Sequence, residues 1–231
     1  MNIIEFIKPV EYHSTLNPKI WKDNRLDSSV KQALIRIAKD FRNFVEVPFE
    51  VIDIVITGGN ANYNYTEHSD IDLHLVTDYD SVDCDQQAAE LFDTKRHLYK
   101  KTYNVEIYDI PVELYVEDKD HPAVSGGSYS LVHDKWITEP TSDLPKYDKS
   151  ELKDMVKVWE EILKRAVATH SLEHCRSAVD LLRKYRKLGL GTEQAEFSIP
   201  NLVYKSLRNS GALADVTEYI DTLHDRELSL K

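Results

Sequence analysis

Apolar side chains recur at helical spacing in two stretches of the chain, residues 28–45 and 83–101. A recurrence every three or four residues predicts an amphipathic helix, and Asp27 or Ser28 can cap the first one. The expected inward positions are Val30, Leu34, Ile37, Phe41 and Phe44 or Val45 in the first helix, and Ala88, Leu91, Phe92 and Leu98 in the second. Each helix therefore offers one apolar face to a core.

Short apolar runs follow each helix and have the character of β-strands. Two of them, Val51 to Ile56 and Asp70 to Val76, flank a polar loop. A third stretch, Tyr103 to Asp118, alternates as a half-buried strand or hairpin does, and a fourth, Tyr129 to Trp136, follows a Gly126-Gly127 turn. The order helix, strand, strand, helix, strand predicts an α/β (α+β) domain in which helices flank a mixed sheet.

Beyond a polar, proline-containing linker near residues 138–150, only helical spacing remains. One apolar stripe comprises Leu152, Met155, Val156, Trp159, Ile162, Leu163 and Ala166, and a second comprises Ala178, Leu181, Leu182, Tyr185 and Leu188. Gly189 and Gly191 are expected to end the second helix, and further helices are expected over about 200–207 and 212–224. The sequence thus predicts a domain over residues 1–140 and a C-terminal all-helical domain over 146–231.

Composition narrows the class of protein. The chain has 231 residues, 42% of them hydrophobic, which is enough for one large domain or two small ones. No apolar run approaches the ~18 residues of a membrane span, and the first residues do not resemble a secretory signal. Cys84 and Cys175 lie far apart, so we expect neither a disulfide framework nor a cysteine metal site. A cytoplasmic protein is expected.

The net charge of −11 argues against tight non-specific binding of nucleic acid. The charge is uneven, however, because residues 146–190 contain 11 basic and 7 acidic side chains, a net charge of +4. The densest basic cluster is Arg183, Lys184, Arg186 and Lys187. This cluster is either a solvated helix face or a patch that contacts an RNA or nucleotide acceptor.

The loop between the first two strands and the start of the second strand contain the candidate catalytic residues. The sequence from Thr57 to Val76 is TGGNANYNYTEHSDIDLHLV. Side chains alternate along a strand, so Asp70 and Asp72 are expected on one face. Two carboxylates so placed favour a divalent cation, and their hard oxygen atoms suit Mg²⁺ or Mn²⁺. Gly58 and Gly59 have no side chains, so a phosphate can approach their backbone amides.

This motif resembles that of the DNA polymerase beta-like nucleotidyltransferase superfamily. The shared pattern is Gly58-Gly59, a spacer of ten residues, and then Asp70-Ile71-Asp72-Leu73 between two strands. The resemblance implies a nucleotidyltransferase fold, a Mg²⁺-dependent transfer from a nucleoside triphosphate, with ATP expected, and release of pyrophosphate. It also implies a third carboxylate on a later strand, for which Glu113 is favoured and Glu106 is the alternative. Asp70, Asp72 and Glu113 would then bind two metal ions.

Several other residues near the motif have two interpretations. Thr57, Asn60 and Ser69 either contact phosphate or are ordinary turn residues, and we assign Asn60 and Ser69 to nucleotide binding along with the glycines. Tyr63 and Tyr65 either stack on a base or pack on the domain surface, and His68 and His74 are expected to be surface histidines. Basic side chains of the second helix could reach a triphosphate; these are Lys95, Arg96, Lys100 and Lys101.

The predicted function is transfer of a nucleoside monophosphate to an acceptor hydroxyl on RNA, a nucleotide, a protein or a small molecule. Small members of the superfamily often have Gly-Ser-x-Ala-Arg-Gly after the first strand. Ala61 matches that pattern, but Asn62 and Tyr63 do not, which argues against the antitoxin-type and aminoglycoside-modifying branches. A pyrophosphokinase and a nucleotide-binding regulatory module on the same fold are the alternatives.

Overall fold

The structure is a computed structural model that describes residues 13–67, 69–82, 85–123, 125–141 and 147–229. The chain divides into two compact units. The described part of the first covers residues 13–141 and contains strands and helices, and that of the second covers 147–229. The predicted mixed α/β class is confirmed, with six α-helices in the described ranges.

A six-stranded mixed sheet forms the centre of the first unit. Its strands, in the described residues, are β3 (Asp53–Thr57), β4 (Ile71–Thr77), β5 (Glu106–Ile107), β6 (Ile110–Asp118), β7 (Ser128–Ser130) and β8 (Lys135–Thr138). Their order in the sheet is β5-β6-β4-β3-β7-β8. Strands β4 and β6 run parallel, and the other neighbouring strands of this sheet are antiparallel. The parallel pair, second and third from one edge of the sheet, brings together two strands that are distant in sequence.

Helix α1 (Ser28–Val45) forms where the apolar spacing predicts it. Asp27 caps it, because its carboxylate accepts hydrogen bonds from the backbone N–H groups of Ser29 and Val30. The buried stripe is Val30, Leu34, Ala38, Phe41 and Val45. Glu46 ends the helix in the left-handed conformation, at φ 64°. The stripe joins the core beneath the sheet, together with alternate residues of β3 and β4.

Helix α2 (Asp85–Thr102) connects β4 to β6 and packs beside β6. Ala88 and Phe92 are buried as predicted, but Leu98 is exposed and Tyr99 is buried in its place. The hydroxyl of Tyr99 donates to Asp40 at 2.7 Å, so the ring can enter the core without leaving its polar atom unpaired. This polar partner on α1 could not be read from the spacing of α2 alone.

The described part of the first unit also contains hairpins, of which β7–β8 agrees with the strand or hairpin expected over 129–136. The β5–β6 hairpin turns at Tyr108 and Asp109, which both have positive φ, and so matches the strand pair expected between 103 and 118. Strands β1 (Trp21–Lys22) and β2 (Arg25–Leu26) form a hairpin that the sequence pattern did not predict. Trp21 is buried and stacks on Trp136 of β8, with 4.7 Å between ring centroids.

The second unit, in its described residues, consists of helices only: α3 (Lys149–Ala168), α4 (Leu172–Leu190), α5 (Ile199–Asn209) and α6 (Ala212–Leu228), with a short 3-10 turn before α5. Most of the predicted stripe of α3 is buried, but two expected core positions of α4 are wrong. Leu181 and Leu188 are exposed, Leu188 to 73%, while Cys175 and Val179 face the core instead. Ala178 and Leu182 are buried as predicted. Within the described ranges, no helix is both long enough and apolar enough to cross a bilayer.

Candidate metal centre

Strand register brings three carboxylates together. Asp72 on β4 lies directly opposite Glu113 on the parallel neighbour β6, and Asp70 precedes β4 by one residue. One oxygen atom from each of Asp70, Asp72 and Glu113 can be chosen so that all three lie within 4.8 Å of one another. Glu106, the alternative third carboxylate, lies on β5 and accepts a hydrogen bond from Asn104 instead. The group could hold a metal ion, because its donors are hard oxygen atoms converging on one point.

The polar face of the sheet explains why these side chains converge. Ile71, Leu73 and Leu75 of β4 point into the core with Val112 and Leu114 of β6. The alternate positions point the other way, which aligns two rows across the parallel pair. These rows are Asp72, His74 and Val76 on β4, opposite Glu113, Tyr115 and Glu117 on β6.

Gly58 lies against the carboxylate cluster. Its φ is 74°, a conformation that side chains disfavour, and a Cβ atom added there would lie 2.0 Å from Asp72 Oδ2. The absence of a side chain at residue 58 thus lets the backbone pass directly beside a candidate metal ligand. Residue 58 follows β3, whose last residue, Thr57, pairs with Asp72.

The backbone of this loop already has partners. The Gly58 N–H donates to Ser125 Oγ at 3.1 Å, so a phosphate bound by this amide would displace that hydroxyl. Gly59 lies beside Ser69, because a Cβ at residue 59 would be 3.1 Å from Ser69 Oγ. Of the predicted phosphate-binding residues, Gly58 therefore lies beside Asp72, and Gly59 lies beside Ser69.

Asn60, which we assigned to nucleotide binding, has a structural role instead. It is fully buried, and its Nδ2 donates to the carbonyl groups of Ser69, at 3.1 Å, and Asp70, at 2.9 Å. Its Oδ1 accepts from Asn17 Nδ2 at 2.8 Å. With both ends of its amide engaged inside the fold, Asn60 ties the start of the motif loop to its end and fixes the backbone of Asp70.

Replacing Asn60 by alanine should lower the free energy of unfolding by about 2–4 kcal/mol, because the buried Asn17 and the half-buried carbonyl groups of Ser69 and Asp70 lose their hydrogen bonds. Urea denaturation followed by circular dichroism measures this loss. Asn104→Ala is the matched control, since Asn104 is exposed and its hydrogen bond is to the surface residue Glu106; we expect a change within about 0.5 kcal/mol. Equal effects of the two substitutions would contradict the role assigned to Asn60.

Glu113 is held by a cation and a hydroxyl. Lys100 of α2 forms an ion pair with its Oε1, and Tyr115 donates to its Oε2 at 2.8 Å. Burial raises the pKa of Glu113, but the hydrogen bonds from Lys100 and Tyr115 and the charges of Lys100 and Arg96 outweigh burial and bring it below its ordinary value. Glu113 therefore stays ionised near neutral pH, which suits a metal ligand better than a proton acceptor.

Tyr115 links Glu113 to the helix above it. The guanidinium carbon of Arg96 lies 4.7 Å from the centroid of the Tyr115 ring, a cation–π contact. Burial, the charges of Asp72 and Glu113, and the hydrogen bond to Glu113 raise the pKa of Tyr115 well above its ordinary value. The phenol thus remains a hydrogen-bond donor. Its position two residues after Glu113 on one strand face was the only sign of this role in the sequence.

The expectation of a surface histidine at residue 74 is wrong. His74 is buried, with Nε2 3.1 Å from Thr57 Oγ1 and Nδ1 paired with Glu117. Its ring stacks on Tyr115, with centroids 4.7 Å apart. Thr57, which we considered as a phosphate contact, is likewise buried against His74. Both residues pack as buried polar side chains next to the carboxylate cluster, on the same face of the sheet.

The remaining candidates have local partners. Tyr65 stacks on His13 with ring centroids 3.9 Å apart, and Tyr63 packs against the core, so both contact the protein itself. Lys95 pairs with Glu46 at 2.8 Å. His68, Cys84 and part of the predicted linker lie outside the described residues.

The basic cluster lies on α4. Arg183, Lys184 and Lys187 are exposed, and Arg183 pairs with Asp180 at 3.3 Å. Arg186 differs, because it donates to Asn201 at 3.0 Å and stacks on the Tyr204 ring at 4.4 Å. Three of the four residues thus present charge to solvent, and the fourth joins α4 to α5.

Comparisons of the chain with protein-family models, with curated proteins and with solved structures found no match.

Proposed function

We propose that this chain is a Mg²⁺-dependent nucleotidyltransferase on the polymerase beta-like fold. It would transfer a nucleoside monophosphate from a nucleoside triphosphate, with ATP expected, to an acceptor hydroxyl. The observation that carries the proposal is the meeting of Asp70, Asp72 and Glu113 beside the Gly58-Gly59 turn. These residues come from three separate places in the sequence, and a purely structural role would not require them to converge.

The donor set fits a divalent cation. Three carboxylates so close together repel one another, and a cation between them relieves that repulsion. Asp70, Asp72 and Glu113 would hold Mg²⁺ or Mn²⁺, with Tyr115 orienting Glu113 through its 2.8 Å hydrogen bond. When bound, the metal would neutralise the phosphates and polarise the reacting oxygen atoms.

The glycine loop would receive the triphosphate. Gly58 lets the backbone lie directly beside Asp72, and its N–H group would bind a phosphate in place of Ser125 Oγ. The acceptor hydroxyl would form a bond to the α-phosphorus while the bond from that phosphorus to the bridging oxygen breaks. Pyrophosphate would leave and the hydroxyl proton would pass to solvent or to a carboxylate.

The acceptor class is proposed from charge alone. Arg183, Lys184 and Lys187 on α4 are exposed, which supports contact with an RNA or a second nucleotide. Arg186 is engaged with Asn201 and Tyr204, and contributes to such a patch only through its remaining charge.

Incubation with each labelled nucleoside triphosphate and Mg²⁺, with and without total RNA, tests the proposal. Label should appear in RNA, in the protein or in a new small nucleotide, and pyrophosphate should be released in equal amount. The Asp70→Asn/Asp72→Asn double variant is the negative control. Release of a nucleoside monophosphate would instead identify a pyrophosphokinase, and nucleotide binding without any turnover would identify a regulatory module.

A further inference from the structure

Glu113 is engaged at both of its oxygen atoms. Tyr115 donates to Oε2 at 2.8 Å, and Lys100 pairs with Oε1. The hydroxyl of Tyr115 is neutral and can stay in place when a metal ion binds. The ammonium group of Lys100 is a cation, and a divalent ion bound to the same carboxylate would repel it strongly.

The two cationic side chains of α2 next to Glu113 differ in how firmly other side chains hold them in place. Lys100 is one helical turn after Arg96, so both project from the same side of α2. The Arg96 side chain is 20% exposed, pairs with Asp93 and stacks on Tyr115, which hold it in place. The Lys100 side chain is 64% exposed, and among the described residues Glu113 is its recorded ion-pair partner. Lys100 can therefore swing away while Arg96 remains.

An open cleft lies beside Glu113. It has room for the ammonium group of Lys100, once that group has left Glu113, together with an anion that pairs with it. The cleft lies between α2 and the start of β6. Its polar lining includes Arg96, Lys100, Asn104 and Glu113, and its aromatic lining includes Tyr99 and Tyr103. Two cations and an amide donor suit a phosphate group once Glu113 has been neutralised by a metal.

We propose that Lys100 is an exchangeable counter-ion of the metal centre, which pairs with Glu113 until a divalent cation binds and then pairs with a phosphate of the nucleotide. This inference rests on the proposed function. Metal and nucleotide binding become linked, because the metal releases the lysine that the nucleotide needs. The same lysine offsets the charge of the three carboxylates while the metal is absent.

The test uses the full chain and two titrations. Mn²⁺ binding is followed by the electron paramagnetic resonance signal of free Mn²⁺ in the absence of nucleotide. Binding of a fluorescent non-hydrolysable ATP analogue is followed at saturating Mn²⁺. Lys100→Met should bind Mn²⁺ about three- to tenfold more tightly and the analogue about tenfold more weakly, as expected for loss of one charged contact in each state.

Two control variants separate charge from structure. Lys100→Arg keeps the charge and should behave as the wild-type chain within about twofold in both titrations. Lys39→Met removes an exposed lysine of α1 that belongs neither to the carboxylate cluster nor to the lining of the cleft, and it should change neither affinity. The opposite signs expected for Lys100→Met are the decisive readout, because a merely structural defect would weaken both.

Three results would overturn the inference. Unchanged or weaker Mn²⁺ binding by Lys100→Met, or an unchanged affinity for the analogue, would contradict the proposed exchange of Lys100 between Glu113 and a phosphate. Either result would leave the proposed function intact. If neither the wild-type chain nor Lys100→Met bound Mn²⁺ at all, the metal centre itself would fail, and the proposed function would fail with it.

Discussion

Replacing Asp72 by asparagine should reduce nucleotidyl transfer by at least about a thousandfold. Asp72 lies on β4 between Thr57, at the start of the glycine turn, and Glu113, so its carboxylate is next to both parts of the proposed site. Asparagine keeps the shape of the side chain but is a neutral, weaker metal ligand. The free energy of unfolding should therefore change by no more than about 1 kcal/mol while activity disappears.

The measurement is the rate of pyrophosphate release at saturating Mg²⁺, together with Mn²⁺ binding and the melting temperature. Asp80→Asn is the matched control, because it removes one negative charge from an exposed residue of the same unit. Asp80→Asn should retain full activity. An Asp72→Asn chain with near-wild-type turnover would falsify the assignment of this cluster as the catalytic metal centre.

Replacing Gly58 by alanine should lower the free energy of unfolding by about 2–3 kcal/mol and abolish transfer. Two effects act together. A φ of 74° is strained for alanine, and the new Cβ would lie 2.0 Å from Asp72 Oδ2. The carboxylate must rotate away to relieve that collision, which takes it out of the cluster. One added methyl group should thus lower both the free energy of unfolding and the affinity for the metal ion.

Gly59→Ala is the control for this prediction. At residue 59 the added Cβ meets Ser69 Oγ at 3.1 Å, a tight contact with a side chain that can shift, and φ is not positive. Its free energy of unfolding should stay within about 1 kcal/mol of the wild-type value. If urea denaturation gave the two alanine variants equal stability, the collision with Asp72 would not be the reason for glycine at residue 58.

Much of the fold follows from local signals in the sequence. Helix α1 begins at its Asp27 cap and buries the predicted stripe except that Ala38 is buried where Ile37 was expected, and the β3 and β4 strands lie within a residue or two of expectation. These elements are encoded by residues close together in the chain. The predictions of buried positions are wrong where a partner distant in sequence determines which side chain is buried. Tyr99 lies in the core in place of Leu98, and Asp40 on α1 accepts a hydrogen bond from its hydroxyl group.

The candidate site divides in the same way. Asp70, Asp72 and Glu113 could be named from apolar flanks and spacing, and the register of the parallel strands brings them together. His74 and Asn60 could not be assigned correctly, because burial depends on what covers a residue. His74 is enclosed by Thr57, Tyr115 and Glu117, and Asn60 is hydrogen-bonded to Asn17. These partners are distant in sequence, so the residues adjacent to His74 and Asn60 do not indicate that either is buried.

The parallel pairing of β4 with β6 has a consequence for the order of assembly. Strands β3 and β4 are consecutive in the sheet and are joined by residues 58–70, so their contacts are local enough to form early and already bring in both aspartates. Glu113 arrives only after α2 and the β5–β6 hairpin have closed a much longer loop. Because Lys100 travels on that connecting helix, the last carboxylate reaches its two like-charged neighbours accompanied by its own neutralising cation, and the chain avoids a repulsive step late in folding.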